Sequence, residues 1–257
     1  MKFTKETNVI IKKPVPRVGV VTSNPQRALR LVEKKILDAE THTDAWGIVV
    51  HTGRYKEVTV FVASVPMGGG GSGFAFLELF ASGARSVIRY GSNDKPFSTR
   101  REILAVTQAD GLYGLMRDSG APEELWGTTL PASPRLIEVT YNNAQAAGLA
   151  VRPVTCHHVE DYHVRNFPHL ADSGSRSQKF VQDAESRDTG DSVWDMETAA
   201  LYWRAQQFER EAATVLQSLT KNRATEAPYE GSHGEQSLAE ENTFFDVVME
   251  SLVEADS

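Results

Sequence analysis

Five glycines fall within six positions, Gly68 to Gly71 and Gly73 with Ser72 between them, and this run constrains the chain more than any other stretch. It follows Val58 to Ala63, a β-branched apolar run that predicts a buried strand. Phe74 to Ala81, with apolar residues at helical spacing and Gly83 behind them, predicts a helix. Ser86 to Ile88 predicts a second strand that runs into Arg89, Gly91 and Ser92. Strand, glycine loop, helix and strand make one βαβ unit, and parallel strands joined this way carry ligands at their carboxyl ends. Glycines let backbone N–H groups approach an anion closely, and a helix N-terminus favours negative charge. Arg89 adds a planar, permanently charged donor beside the Ser92 hydroxyl. The pattern predicts a small oxyanion site, phosphate above all. A flexible turn would also look like this. The spacing matches neither G-x-G-x-x-G nor G-x-x-x-x-G-K-[ST].

The rest of the chain extends the alternation of strands and helices. Arg17 to Thr22 predicts a first strand, Ser23-Asn24-Pro25-Gln26-Arg27 a turn, and Ala28 to Leu37 a helix. Arg27 at the mouth of that turn is a second candidate anion contact. Trp46 to His51 and Glu57 to Ala63 read as strands joined by a hairpin turn at Thr52 to Lys56. Further strands are expected at Glu102 to Thr107, Ala150 to Thr155 and Ala212 to Thr220, and helices at Arg135 to Ala147, Thr198 to Arg210 and Phe244 to Val253. Gln108 to Ser133 reads as connecting structure. Val159 to Ser192 is polar and without period, the signature of a lid or ordered insertion. The expected fold is α/β: a single domain over residues 1–257, three-layer αβα with a central mixed, twisted sheet.

Charge and cysteine usage narrow the function. A net charge of −7 argues against nucleic acid as a partner, which calls for a basic face. The single cysteine, Cys156, excludes an internal disulfide framework and fits a reducing compartment; a buried inert thiol is its expected state. No stretch approaches the ~18 apolar residues of a membrane helix, and Met1 to Glu6 carry no signal-peptide core. A cytoplasmic location is expected, with no membrane partner. His157 and His158 are adjacent, but no Cys/His cluster supports them, so no metal is expected and they read as pocket or solvent-facing histidines. Asp195 and Glu197 flank Met196 just before an apolar helix. They read either as carboxylates favoured by the helix dipole or as carboxylates that accept hydrogen bonds from vicinal hydroxyls above a methionine floor.

Four elements together resemble one family. Ser23-Asn24-Pro25-Gln26-Arg27 is similar to a G-D-P-x-R phosphate turn, Ser64 to Gly73 to a glycine-rich loop, Arg89-Tyr90-Gly91-Ser92 to an R-x-G-[TS] element, and Trp194 to Ala200 to an E-M-E-[ST]-A segment. In this order and at these gaps they resemble the nucleoside phosphorylase superfamily of uridine phosphorylases and hexameric-type purine nucleoside phosphorylases, from about Arg17 to Val253. The resemblance implies phosphate held by Ser23, Arg27, Arg89 and Ser92, ribose by Met196 and Glu197, and the base by Tyr162 and Asp195. Arg89 and Glu197 would be the catalytic pair. It implies reversible phosphorolysis of uridine to uracil and ribose 1-phosphate, with inorganic phosphate as co-substrate and no cofactor. It also implies at least a homodimer, with a homohexamer open.

The departures are specific. Ser23 and Asn24 replace the family's glycine and aspartate. No arginine lies near Trp46 to serve a neighbouring subunit, Arg54 and His51 being the nearest substitutes, and no histidine precedes His42. Leu219-Thr220-Lys221-Asn222-Arg223 lacks the aspartate of purine-cleaving relatives and is closer to the V-N-R of uridine phosphorylases. Arg176-Ser177-Gln178-Lys179 offers the residue types of a uracil reader in another order. A purine nucleoside phosphorylase, a nucleosidase that uses water and a non-catalytic nucleoside-binding protein are the alternatives.

Overall fold

The computed structural model of the chain describes residues 6, 8–93, 102–161, 190–218 and 235–256. Among the described residues, ten strands form one mixed sheet. Its centre is parallel: β4 (Val58–Ser64), β1 (Val18–Thr22), β5 (Ser86–Asn93) and β10 (Glu211–Ser218). The direction then reverses. β6 (Glu102–Asp110) pairs antiparallel with β10, and β8 (Ala150–His158) and β9 (Ser192–Asp195) continue parallel to β6. β2 (Leu37–Ala45) and β3 (Ile48–Tyr55) add an antiparallel hairpin beyond β4, and β7 (Leu130–Pro131) pairs with β6. The accumulated twist carries β9 back to β5, where the Asn93 amide donates to the Trp194 carbonyl at 3.1 Å. That return brings the start of the helix after β9 over the end of β5.

Helices cover both faces. α1 (Pro25–Lys35), α4 (Pro134–Ala146) and α6 (Glu235–Asp256) pack on one, and α2 (Gly69–Ala81), α3 (Gly114–Asp118) and α5 (Thr198–Phe208) on the other. Successive strand residues point to opposite faces. Val20, Ile88 and Val215 accordingly enter the first core, while Val21, Val87 and Leu216 enter the second. A strand buried on both sides must be nearly continuously apolar, as Val18 to Val21 is before the buried Thr22. Each such valine or leucine contributes about 1.5–3 kcal/mol. The N-terminal segment is seated on α2 through a buried carboxylate: Glu78 accepts from the N–H groups of Ile10 (2.8 Å) and Ile11 (2.6 Å). α1 starts at Pro25, inside the stretch expected as a turn and three residues before the expected start at Ala28, because the Asn24 side chain accepts from Arg27 N–H at 3.1 Å and Pro25 fits the first turn.

Several sequence expectations are corrected. The glycine run is not a loop: α2 begins at Gly69, so Gly69, Gly70, Gly71 and Gly73 are its first turns and Gly68 is its cap. α1 ends at Lys35, and residues 37–45, which carry no apolar run, form the edge strand β2 because β3 supplies the pairing. The single hairpin turn at 52–56 becomes two, at Trp46-Gly47 and Lys56-Glu57. Gly53 lies within β3, packed close to Ile36. The connecting stretch 108–133 holds the end of β6, α3, a 3-10 turn at Glu123–Leu125 and β7. Val193 to Asp195, expected as a lead-in to a helix, belongs to a strand. Most of the expected insertion at 159–192 lies outside the described residues, as do Tyr162, Arg176 to Lys179 and Leu219 to Arg223.

Candidate functional site

Arg89 is the centre of a buried polar cluster at the end of β5. Its Nη2 is ion-paired with Asp195 at 2.9 Å and with Glu197, and the residue is 2% exposed. Nε and Nη1 have no hydrogen-bond partner among the described residues. The R-x-G spacing has a physical reason here. A Cβ on Gly91 would stand 2.6 Å from Arg89 Nη1, so only glycine leaves the guanidinium its place. Burial works against the guanidinium's charge, but the Asp195 and Glu197 carboxylates hold its pKa above the usual arginine value.

The two carboxylates differ in what surrounds them. Asp195 is fully used: Oδ1 meets Arg89, and Oδ2 accepts from Glu197 N–H (3.0 Å), Thr198 N–H (2.8 Å) and the Thr198 hydroxyl (2.7 Å). It caps α5. Burial opposes its ionisation, yet Arg89 and the bonds from Thr198 and Glu197 bring its pKa below the ordinary aspartate value. Glu197 accepts from Gly68 N–H at 3.1 Å and from the Ser23 hydroxyl at 3.4 Å, besides Arg89. Burial raises its pKa, and the Asp195 charge beside it adds to the rise against Arg89.

A third carboxylate sits at the start of α2. Glu160 accepts from Gly69 N–H at 3.0 Å through Oε2, and its Oε1 is 2.9 Å from His158 Nε2. The His158 bond is the main cause of its lowered pKa. His158 is buried and its Nδ1 has no partner among the described residues. His157 points to the other side of β8. Its Nδ1 is 2.9 Å from Asp110 and its ring lies 5.2 Å from that of Trp194. Neighbouring strand residues cannot share a ligand on one face, and among the described residues no three acidic, histidine or cysteine side chains gather as metal ligands.

The structure brings Ser23, Arg89, Asp195 and Glu197 together and leaves Arg27 apart. Arg27 Nε bonds Glu241 on α6 at 3.1 Å, and its guanidinium lies 4.8 Å from the centre of the Tyr90 ring. Tyr90 follows Arg89 in the strand and faces the opposite way, so the two arginines lie on opposite sides of the sheet. The expectation of one anion shared by both is corrected on this ground. Ser92 is half-buried, and strand alternation sets it on the Tyr90 side rather than with Arg89. Asp195, expected to read a base, has both oxygens committed to Arg89 and α5. Met196 is half-buried between the two carboxylates in sequence.

Of the proposed neighbour-serving residues, Arg54 is bound to Asp38 at 2.6 Å on the surface, and His51 lines a hollow of about 210 Å³ between α1 and the β2–β3 hairpin. Cys156 is buried, as expected, which pushes its thiol pKa well up, with the Asp195 charge acting the same way. Glu160 was passed over in the sequence. It lies two residues beyond the end of β8, where no strand or helix period marks which side chain turns back.

No protein-family model matches the chain, and no curated protein does. Among solved structures, a uridine phosphorylase from Vibrio fischeri superposes with a TM-score of 0.75 at 18% sequence identity, covering 98% of this chain and 94% of that one. The chain therefore has a nucleoside phosphorylase-like fold over nearly its whole length. No helix among the described residues is long and apolar enough to cross a membrane.

Proposed function

We propose that the chain cleaves the N-glycosidic bond of a nucleoside, with uridine as the substrate and inorganic phosphate as the attacking group. The observation that carries this reading is Arg89: a buried guanidinium with two nitrogens, Nε and Nη1, unpartnered among the described residues, directly beside Glu197, which accepts from Gly68 N–H at the start of α2. A buried donor without an acceptor is costly, and an oxyanion is the acceptor its chemistry fits. Glu197 is the carboxylate to accept the ribose 2′- and 3′-hydroxyls, as the family resemblance implies.

In the reaction a phosphate oxygen forms a bond to C1′. The C1′–N bond breaks with its electron pair leaving on the base, and the base takes up the proton that hydrogen phosphate gives up as it becomes the sugar phosphate. The sugar passes through an oxocarbenium-like state that the adjacent anion stabilises, so the protein supplies position and charge rather than a nucleophile. The site residues in this reading are Arg89 and Ser23 toward the anion and Glu197 and Met196 toward the sugar. An assembly of at least two copies belongs to the same reading.

Hydrolysis by water is the second reading. It is favoured by two contacts: Glu241 holds Arg27, and Glu160 occupies Gly69 N–H. Incubating the protein with uridine, inosine and adenosine, each with and without phosphate, separates the two. Base release that needs phosphate and yields ribose 1-phosphate supports the first. Phosphate-independent release to free ribose supports the second, and no release from any nucleoside overturns both.

A further inference from the structure

We infer that Glu160 controls anion entry to this site: its carboxylate stands where an incoming phosphate would meet the start of α2, and phosphate binds by displacing it. This rests on the anion half of the proposed function. Two separate features mark the place as one for an anion. The first is the start of a thirteen-residue helix, whose Gly68 and Gly69 N–H groups are both given to carboxylates. The second is Arg89, 2% exposed, whose Nε and Nη1 have no partner among the described residues although two carboxylates crowd its Nη2.

Charge decides which group must yield. Asp195 and Glu197 already meet Arg89, and Glu160 takes the Gly69 N–H beside the Gly68 N–H that Glu197 takes, so a phosphate dianion at the start of α2 would face all three carboxylates with a large repulsion. Asp195 is fixed by four contacts and Glu197 is 3% exposed. Of the three, Glu160 has an exit: its side chain is 56% exposed, and among the described residues it is held by Gly69 N–H and His158. Its docking also depends on the glycine. A Cβ on residue 69 would stand 2.5 Å from Glu160 Oε1 and 2.9 Å from the His158 ring. The chain thus keeps an internal carboxylate in competition with the external anion.

The test is inorganic phosphate binding by titration calorimetry at fixed ionic strength, without nucleoside, on the wild type, Glu160→Gln and Glu160→Ala. If the withdrawn form of Glu160 is about one tenth populated, removing the side chain tightens phosphate about tenfold. Glu160→Gln, which loses the charge but still accepts from Gly69 N–H, is expected to fall between the two. Unchanged or weaker phosphate affinity in both variants overturns the inference, as does no binding by any of the three proteins. Tighter binding without cleavage of any nucleoside would keep the inference and remove the proposed function. Phosphate-independent cleavage with no phosphate binding would do the reverse.

Discussion

Arg89 and Arg27 are both buried arginines tied to carboxylates near the carboxyl ends of the central parallel strands, and the sheet separates them. Arg27 is enclosed by Glu241 and the Tyr90 ring, and Glu241 also takes Arg30 Nε at 2.6 Å. On that side one carboxylate serves two guanidiniums, and the contacts tie α1 to α6. On the other side one guanidinium serves two carboxylates and still has N–H groups to spare. The difference teaches how to tell a structural arginine from a site arginine when both look alike in sequence: the first has a neighbour for its charge in the core packing, the second is left with unmet donors next to a helix start.

Four changes probe that contrast. The largest effect is expected for Arg89→Met. It strands two buried carboxylates and should cost about 3–5 kcal/mol, seen as a lowered urea midpoint, together with loss of nucleoside cleavage. Glu241→Ala strands Arg27 and Arg30 and should cost about 3 kcal/mol, the low end of that range because Arg30 is part-exposed. Its phosphate-dependent turnover per folded molecule is expected to persist, and an inactive but folded variant would erase the distinction drawn between the two sides. Gly91→Ala pushes a methyl group against Arg89 and Leu216 and should cost about 1–3 kcal/mol, with a drop in turnover larger than the stability loss explains.

The smallest effect is in pH. Glu197 has a raised folded pKa, so the stability it contributes is complete below the ordinary glutamate range and is lost as pH rises through the raised value. Asp195 has a depressed one, so its contribution is present above the ordinary aspartate value and is lost as pH falls through the depressed value. In urea titrations across pH, Glu197→Gln should abolish the first loss and keep the second. A wild-type profile in that variant would show that the two carboxylates do not divide the charge this way.

Much of the architecture was legible. Both-sided burial forces apolar strands, and Ser133-Pro134 announces α4, with Ser133 accepting from Leu136 N–H at 3.4 Å. What misled was local. Glycine has poor helix propensity, so Gly69 to Gly73 read as a loop, whereas packing against α5 and Leu115 holds them helical. Residues 38–45 carry no strand pattern of their own because an edge strand needs only a partner. Within the site, Glu197 and Arg89 were legible as types at known spacing, and Glu160 was not, since nothing in a polar segment says which carboxylate folds back.

The sequence alone determined the alternating α/β order, a glycine run between a buried strand and a helix, and an arginine followed two residues later by a glycine. These are properties of neighbours along the chain. Only the tertiary structure decided that Arg27 turns to Glu241 while Arg89 meets Asp195 and Glu197, and that Glu160 closes on Gly69. Those pairings join residues far apart in sequence, and the twist of the sheet, which returns β9 to β5, is what sets them face to face.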